Sequence, residues 1–251
     1  MPELIKNELF LEDFKLQMYD NGHILGSAAL KIDNGEKSIL YTGDFTDKNR
    51  FFLNGFKPPK ADILITEATF GKPEYILPKP EEVIKEAVDW IDTQIKNNKN
   101  VILVGYALGK GQILSKIAEN FNVNIYADKN IQKSNQIYNL FGIKIKEFNL
   151  LEEIPKAPFI ALTTPTISSF VNYARRRLNS VSAFFSGWTI DPKFEIDFAD
   201  QYFPLSDHAD FNGLIRIASY VNPSKIYTLY GFSKELAEHM KKEGWDAETL
   251  Y

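Results

Sequence analysis

The sequence predicts an α/β protein built from two differently organised regions, and three observations carry that reading. The first 70 residues read as short strands joined by turns, with period-two alternation and an Asn-Gly pair. After Pro80 the pattern switches to a helical stripe. Beyond it, short apolar runs alternate with helical stretches as far as Phe185, the rhythm of a largely parallel sheet.

Taken in order, Phe14-Lys15-Leu16-Gln17-Met18-Tyr19 alternates as a half-buried strand should. Ala28–Ile32 and Ser38–Tyr41 flank Asp33-Asn34-Gly35, whose Asn-Gly pair suits a hairpin. Asp62–Ile65 is a further apolar strand, so this region forms an antiparallel or mixed sheet. From Glu81 to Ile95, Val83, Ile84, Ala87, Val88 and Ile91 make one helical face, with acids at its start. Val101–Val104 is a buried-type strand, followed by the loop Gly105-Tyr106-Ala107-Leu108-Gly109-Lys110-Gly111 and a helix from Gln112. Strands are expected at Asn124–Tyr126, Ile143–Ile145, Phe159–Leu162 and Ala183–Phe185. From Leu214 the order is helix, strand (Lys225–Leu229), then a helix after Ser233.

Composition narrows the function classes. With 251 residues, 44% apolar and 25% charged, the chain has enough core for one large domain or two medium ones. A net charge of −4 gives no global signature for nucleic acid, so phosphate binding requires a local basic patch. Cysteine is absent, which excludes disulfides and thiolate metal sites and fits a reducing compartment. No stretch reaches the ~20 apolar residues of a membrane span, and Met1-Pro2-Glu3-Leu4 does not open a secretory signal, so the expected location is cytoplasmic.

The loop 105–111 sits between a strand and a helix, where backbone N–H groups can face a phosphate, but it fits neither a Walker loop nor a dinucleotide fingerprint. A structural turn is the simpler reading. Of three histidines, His239 lies on a lysine-rich helix and reads as a surface residue. His23 ends a strand between glycines, and His208 stands between two aspartates, where Ser206 and Asp207 can cap a helix. Asp44 after Thr42-Gly43 can likewise be a turn aspartate.

Their joint order is more specific than any one of them. Gly22-His23-Ile24-Leu25-Gly26, Tyr41-Thr42-Gly43-Asp44-Phe45, Thr66-Glu67-Ala68-Thr69 and Ser206-Asp207-His208-Ala209-Asp210 resemble the β-CASP branch of the metallo-β-lactamase superfamily. Gly105–Gln112 and Phe185-Ser186-Gly187-Trp188 are similar to the subgroup of ligase-associated exonucleases and archaeal mRNA 3′-end processing nucleases. The resemblance implies a partial αββα metallo-β-lactamase sandwich at 1–72 with 188–251, and an inserted β-CASP α/β domain with a largely parallel sheet at 73–187. It places metal ligands at His23 and Asp44, and catalytic roles at Glu67, His208 and Asp207, with His208 oriented by Glu67.

Two family motifs are missing. No His-x-His-x-Asp-His occurs, as if the chain began too late to contain it, and Leu229-Tyr230-Gly231 stands where the family has Val-His-Gly. Tyrosine is a poor substitute for imidazole on zinc, and His23 and Asp44 are two ligands where three or four are usual. No stable metal is therefore expected in the isolated chain, and zinc is expected only where a partner completes the site. Lacking the family's first strands, the sheet is expected to be covered by a partner protein or a second copy. Lys110 and Arg175-Arg176-Arg177 are the local basic residues for nucleic acid, RNA ahead of DNA, lining a cleft with His208.

The resulting expectation is a catalytically impaired, nucleic-acid-associated relative working in a larger assembly. An active metal-dependent nuclease using His23, Asp44, Asp207 and His208 is the alternative, and a purely structural subunit is a third. The inserted α/β domain argues against β-lactam hydrolysis.

Overall fold

A computed structural model describes residues 8–250, so the opening Met1-Pro2-Glu3-Leu4 lies outside the described residues. The chain divides into two compact units, spanning 77–206 and, within the described residues, 8–76 with 207–250.

The split unit begins as a meander. Strands β1 (Glu8–Leu11), β2 (Phe14–Asp20), β3 (Ala28–Asp33) and β4 (Ser38–Tyr41) pair antiparallel in sequence order, and β5 (Ile63–Glu67) joins β4 in parallel. The expected hairpin turn is present, with Gly35 at φ +85° supplying the left-handed step that a side chain disfavours.

The continuous unit follows. Helix α1 (Pro80–Lys96) starts on a proline that needs no N–H partner there, carries Glu81 and Glu82 in its first turn and Lys96 in its last, and buries Val83, Ala87 and Ile91. Next come β6 (Asn100–Val104), α2 (Lys110–Ala118), β7 (Asn124–Ala127), α3 (Lys129–Leu140), β8 (Asn149–Leu150), β9 (Phe159–Thr163), α4 (Ser168–Arg177), β10 (Ser180–Phe185) and β11 (Gln201–Phe203). The sheet order is β11-β10-β6-β9-β7-β8, every pair parallel. Both β6 and β9 are buried along their whole length, as central parallel strands covered on two faces must be.

The chain then returns as α5 (Phe211–Val221), β12 (Lys225–Leu229), α6 (Ser233–Lys242) and β13 (Ala247–Thr249). These complete a seven-stranded mixed sheet, β1-β2-β3-β4-β5-β12-β13, with β12 parallel to β5 and β13. Its core joins Leu40, Leu64 and Ile226 of the sheet to Leu214, Ile217, Leu236 and Met240 of α5 and α6. Each such aliphatic side chain contributes about 1.5–3 kcal/mol relative to exposure. No helix among the described residues is long and apolar enough to cross a membrane.

Two expectations change. The return boundary falls at 206/207 rather than 187/188, because β11 pairs with β10 and so ties residues up to Ser206 to the parallel sheet. Ile143–Ile145 forms no strand. The side chain of Asn139 accepts from the Ile145 N–H and donates to the Ile145 carbonyl, replacing a ladder, and the strand appears at Asn149–Leu150.

Strand direction positions the site. Since β3 is antiparallel to both neighbours, β2 runs the same way as β4, which is parallel to β5 and through it to β12. The carboxyl ends of these four strands therefore share one end of the sheet, and just past or at them stand His23, Asp44, Glu67 and Tyr230.

Candidate functional site

The loop after β2 is pinned before it reaches His23. Asn21 is buried and donates to the Thr42 carbonyl at 2.9 Å, while Gly22 adopts φ +73°. A Cβ at Gly22 would lie 2.6 Å from the Asn54 carbonyl oxygen and 2.9 Å from that of Thr46, so only glycine fits. The His23 Nδ1 lies 3.0 Å from the Asp207 carbonyl. A carbonyl only accepts, so Nδ1 carries the proton and Nε2 keeps its lone pair, the state a metal ligand needs. Burial and the neighbouring His208 charge push the His23 pKa below the ordinary histidine range, which favours that neutral form.

Glu67 ends β5 almost fully buried. Its carboxylate accepts from the Phe45 N–H at 2.8 Å, from the Thr69 N–H at 3.3 Å and from the Thr69 hydroxyl. It also receives the His208 Nδ1, 3.0 and 3.1 Å from its two oxygens. Burial works against a charged His208, but the hydrogen bond and charge of Glu67, with Asp44 and Asp207, outweigh it and raise its pKa. The rings of His23 and His208 stand 4.7 Å apart, centre to centre.

Donor atoms of His23, Asp44 and His208 all lie within 4.8 Å of one another. Asp44 is exposed and follows Gly43, whose φ of +57° turns the chain after β4. The structure thus adds His208 to the two ligands expected from sequence. Three protein donors fit one divalent ion of the zinc class, the ligand count of a catalytic zinc. His23 is the strongest of the three, because its tautomer is fixed, whereas a proton on His208 competes with a cation there.

Other expected residues are placed differently. The Asp207 carboxylate pairs with the guanidinium of buried Arg50, which sequence reasoning missed. Lys110, expected to contact phosphate, is buried, and its ammonium donates to the Leu205 carbonyl at 2.8 Å. Arg175 donates to Asp200 and to the Asp197 carbonyl, tying α4 to the segment before β11, while Arg176 and Arg177 are exposed. His239 is half-buried, edge-on to Phe211 at 4.8 Å, rather than a surface residue. Tyr230 is exposed at φ +57°, and the Gly231 that follows packs so closely on Ala68 that a Cβ would lie 2.4 Å from its carbonyl oxygen.

The protein is therefore one of those that gather histidine and carboxylate donors along the carboxyl ends of a mixed sheet, in a chain that also carries a parallel α/β unit. No family model matches the chain. It is 30% identical over 250 residues to a protein named Probable DNA ligase from Opitutus terrae, covering 98% of this chain and 24% of that protein. It is 32% identical over 164 residues to an RNase J-like protein from Methanocaldococcus jannaschii, covering 58% of this chain and 39% of the relative. Transcription termination factor FttA from Methanothermobacter thermautotrophicus is 29% identical over 137 residues, 50% of this chain and 22% of that protein. The chain belongs to the β-CASP branch of the metallo-β-lactamase superfamily. It spans about a quarter of the ligase-named relative and about two-fifths of the RNase J-like one.

Proposed function

We propose that this chain is a nucleic-acid-associated β-CASP nuclease relative, acting within a larger assembly and impaired in hydrolysis by itself. In this reading the seven-stranded sheet is one layer of the family's αββα sandwich, and the parallel unit is the β-CASP insertion. The observation that carries the reading is the donor count. Among the described residues, His23, Asp44 and His208 form a group for one ion. Two-metal phosphodiester hydrolysis uses a pair of ions about 3.5–4 Å apart.

A divalent ion at this site supplies Lewis-acid polarisation of a phosphate oxygen and a water of lowered pKa. The chain's own residues divide the remaining work. His23 presents Nε2 as a ligand, held by the Asp207 carbonyl. Glu67 holds the His208 Nδ1–H, so a neutral His208 offers its Nε2 lone pair to the ion, whereas with no ion bound a protonated His208 offers its Nε2–H as a donor suited to a phosphate oxygen. Arg176 and Arg177 are the exposed cations of the arginine run available for backbone phosphates. RNA is favoured over DNA by the likeness to an RNase J-like protein and to a transcription termination factor.

Single-stranded RNA binding, followed by fluorescence anisotropy across a salt series, tests this. Binding that weakens steeply with salt, without cleavage by the purified chain in added zinc or manganese, is expected. Absence of binding at low salt removes the nucleic-acid reading. Cleavage lost in His208→Ala replaces impairment with an active nuclease.

A further inference from the structure

Arg50 is the most deeply buried charge in the split unit, its side chain having no exposed area, and none of the motifs includes it. Its guanidinium donates to the Gly22 carbonyl, to the His23 carbonyl at 2.6 Å and to the Asp207 carboxylate. Those acceptors belong to two segments about 185 residues apart in sequence, and Arg50 itself stands on a third. A two-way backbone bridge with Leu53, at 2.8 and 2.6 Å, fixes the turn on which it sits.

These contacts close a ring. Arg50 holds the Asp207 side chain, the Asp207 carbonyl accepts the His23 Nδ1–H, and the His23 carbonyl accepts from Arg50. The next residue along is His208, anchored to Glu67 from its other side. Stability alone is a weak reason for such a pair, since buried ion pairs are often matched or exceeded by apolar residues of similar volume. A rigid, planar, multidentate donor is instead suited to setting distances between loops.

We propose that Arg50 is the positioning residue of the cation site. By clamping the His23 loop to Asp207 it keeps His23 in the tautomer that leaves Nε2 free for a divalent ion, and it sets the spacing of His23 and His208. This rests on the one-ion reading of the cluster. Replacing a group that orients a metal ligand costs roughly 10- to 100-fold in metal affinity.

Two variants test it, Arg50→Met and Arg50→Met combined with Asp207→Asn. The double variant removes both buried charges, so it folds even where the single one does not. Long-range ¹H–¹⁵N spectra report the histidine tautomers without any metal, and calorimetric titration with cobalt(II) reports affinity. We expect the wild type to show His23 protonated at Nδ1, and each folded variant to shift towards protonation at Nε2. Cobalt affinity falls roughly 10- to 100-fold in both, while the melting temperature recovers in the double variant. A purely structural Arg50 gives the opposite pattern, with tautomer and affinity recovering together with stability, and that result overturns the proposal. If the wild type binds no cobalt, the one-ion reading fails. An unchanged His23 tautomer in the double variant refutes the Arg50 clamp independently.

Discussion

The carboxyl end of β5 and the carboxyl end of β6 share a local plan but differ in where their polar groups point. Each strand ends in a loop bearing potential ligands for a phosphate or a metal. After β6, Lys110 turns inward to the Leu205 carbonyl, and the Gln112 side chain accepts from the Gly109 N–H while donating to Ala107 and Asn135. After β5 and its parallel neighbours, Glu67 and Asp207 take up the inner contacts. His23, Asp44 and His208 are left with donor atoms converging within 4.8 Å. Polar side chains after a strand end therefore stabilise a loop in one unit and converge on a candidate site in the other.

Substitutions separate packing from the candidate site, and the largest effect is expected at Gly231. Gly231→Ala forces a Cβ to 2.4 Å from the Ala68 carbonyl at φ +45°, with no flexible atom to yield. Unfolding in guanidinium is expected to show a loss of about 3 kcal/mol or more. Glu67→Ala comes next, because it orphans the buried Phe45 N–H and the Thr69 donors. A cost of about 2–3 kcal/mol is expected in the same assay.

Lys110→Ala sharpens the contrast directly. It is expected to lower stability by about 1–3 kcal/mol and to leave cobalt affinity unchanged, as calorimetry can check. Asp44→Asn, at an exposed position, is expected to change stability by less than about 0.5 kcal/mol while abolishing cobalt binding.

A fifth outcome concerns protons. By NMR titration His208 is expected to titrate above the ordinary histidine range and His23 below it, and Glu67→Gln should bring His208 down. The sign for stability follows. The His208–Glu67 pair contributes fully below the unfolded histidine pKa and loses its contribution as pH rises through the raised folded value. Its removal should therefore cost more at acid pH than at alkaline pH.

Much of the candidate site's placement was legible in the sequence because His23, Asp44, Glu67 and His208 lie in short motifs at strand and helix ends, where local chain geometry dictates position. The strands from Phe14 to Ile65 were readable for the same reason, through alternation and the Asn34-Gly35 turn. Arg50 carries no such signal. Its partner Asp207 is 157 residues away, and nothing in Asn49-Arg50-Phe51 distinguishes a buried clamp from a surface arginine. The intramolecular partners of Lys110 and Arg175 were hidden for a related reason, since a basic residue looks identical in sequence whether it faces solvent or an inward carbonyl. Strand β11 escaped because three residues before Pro204 show no period, and only pairing with β10 defines it.

Cobalt(II) titration of the purified chain, with His23→Ala alongside, distinguishes one bound ion from two. One ion per wild-type chain and none in the variant is the predicted result. Two ions per wild-type chain, or undiminished binding in the variant, would contradict a single site built on His23, Asp44 and His208.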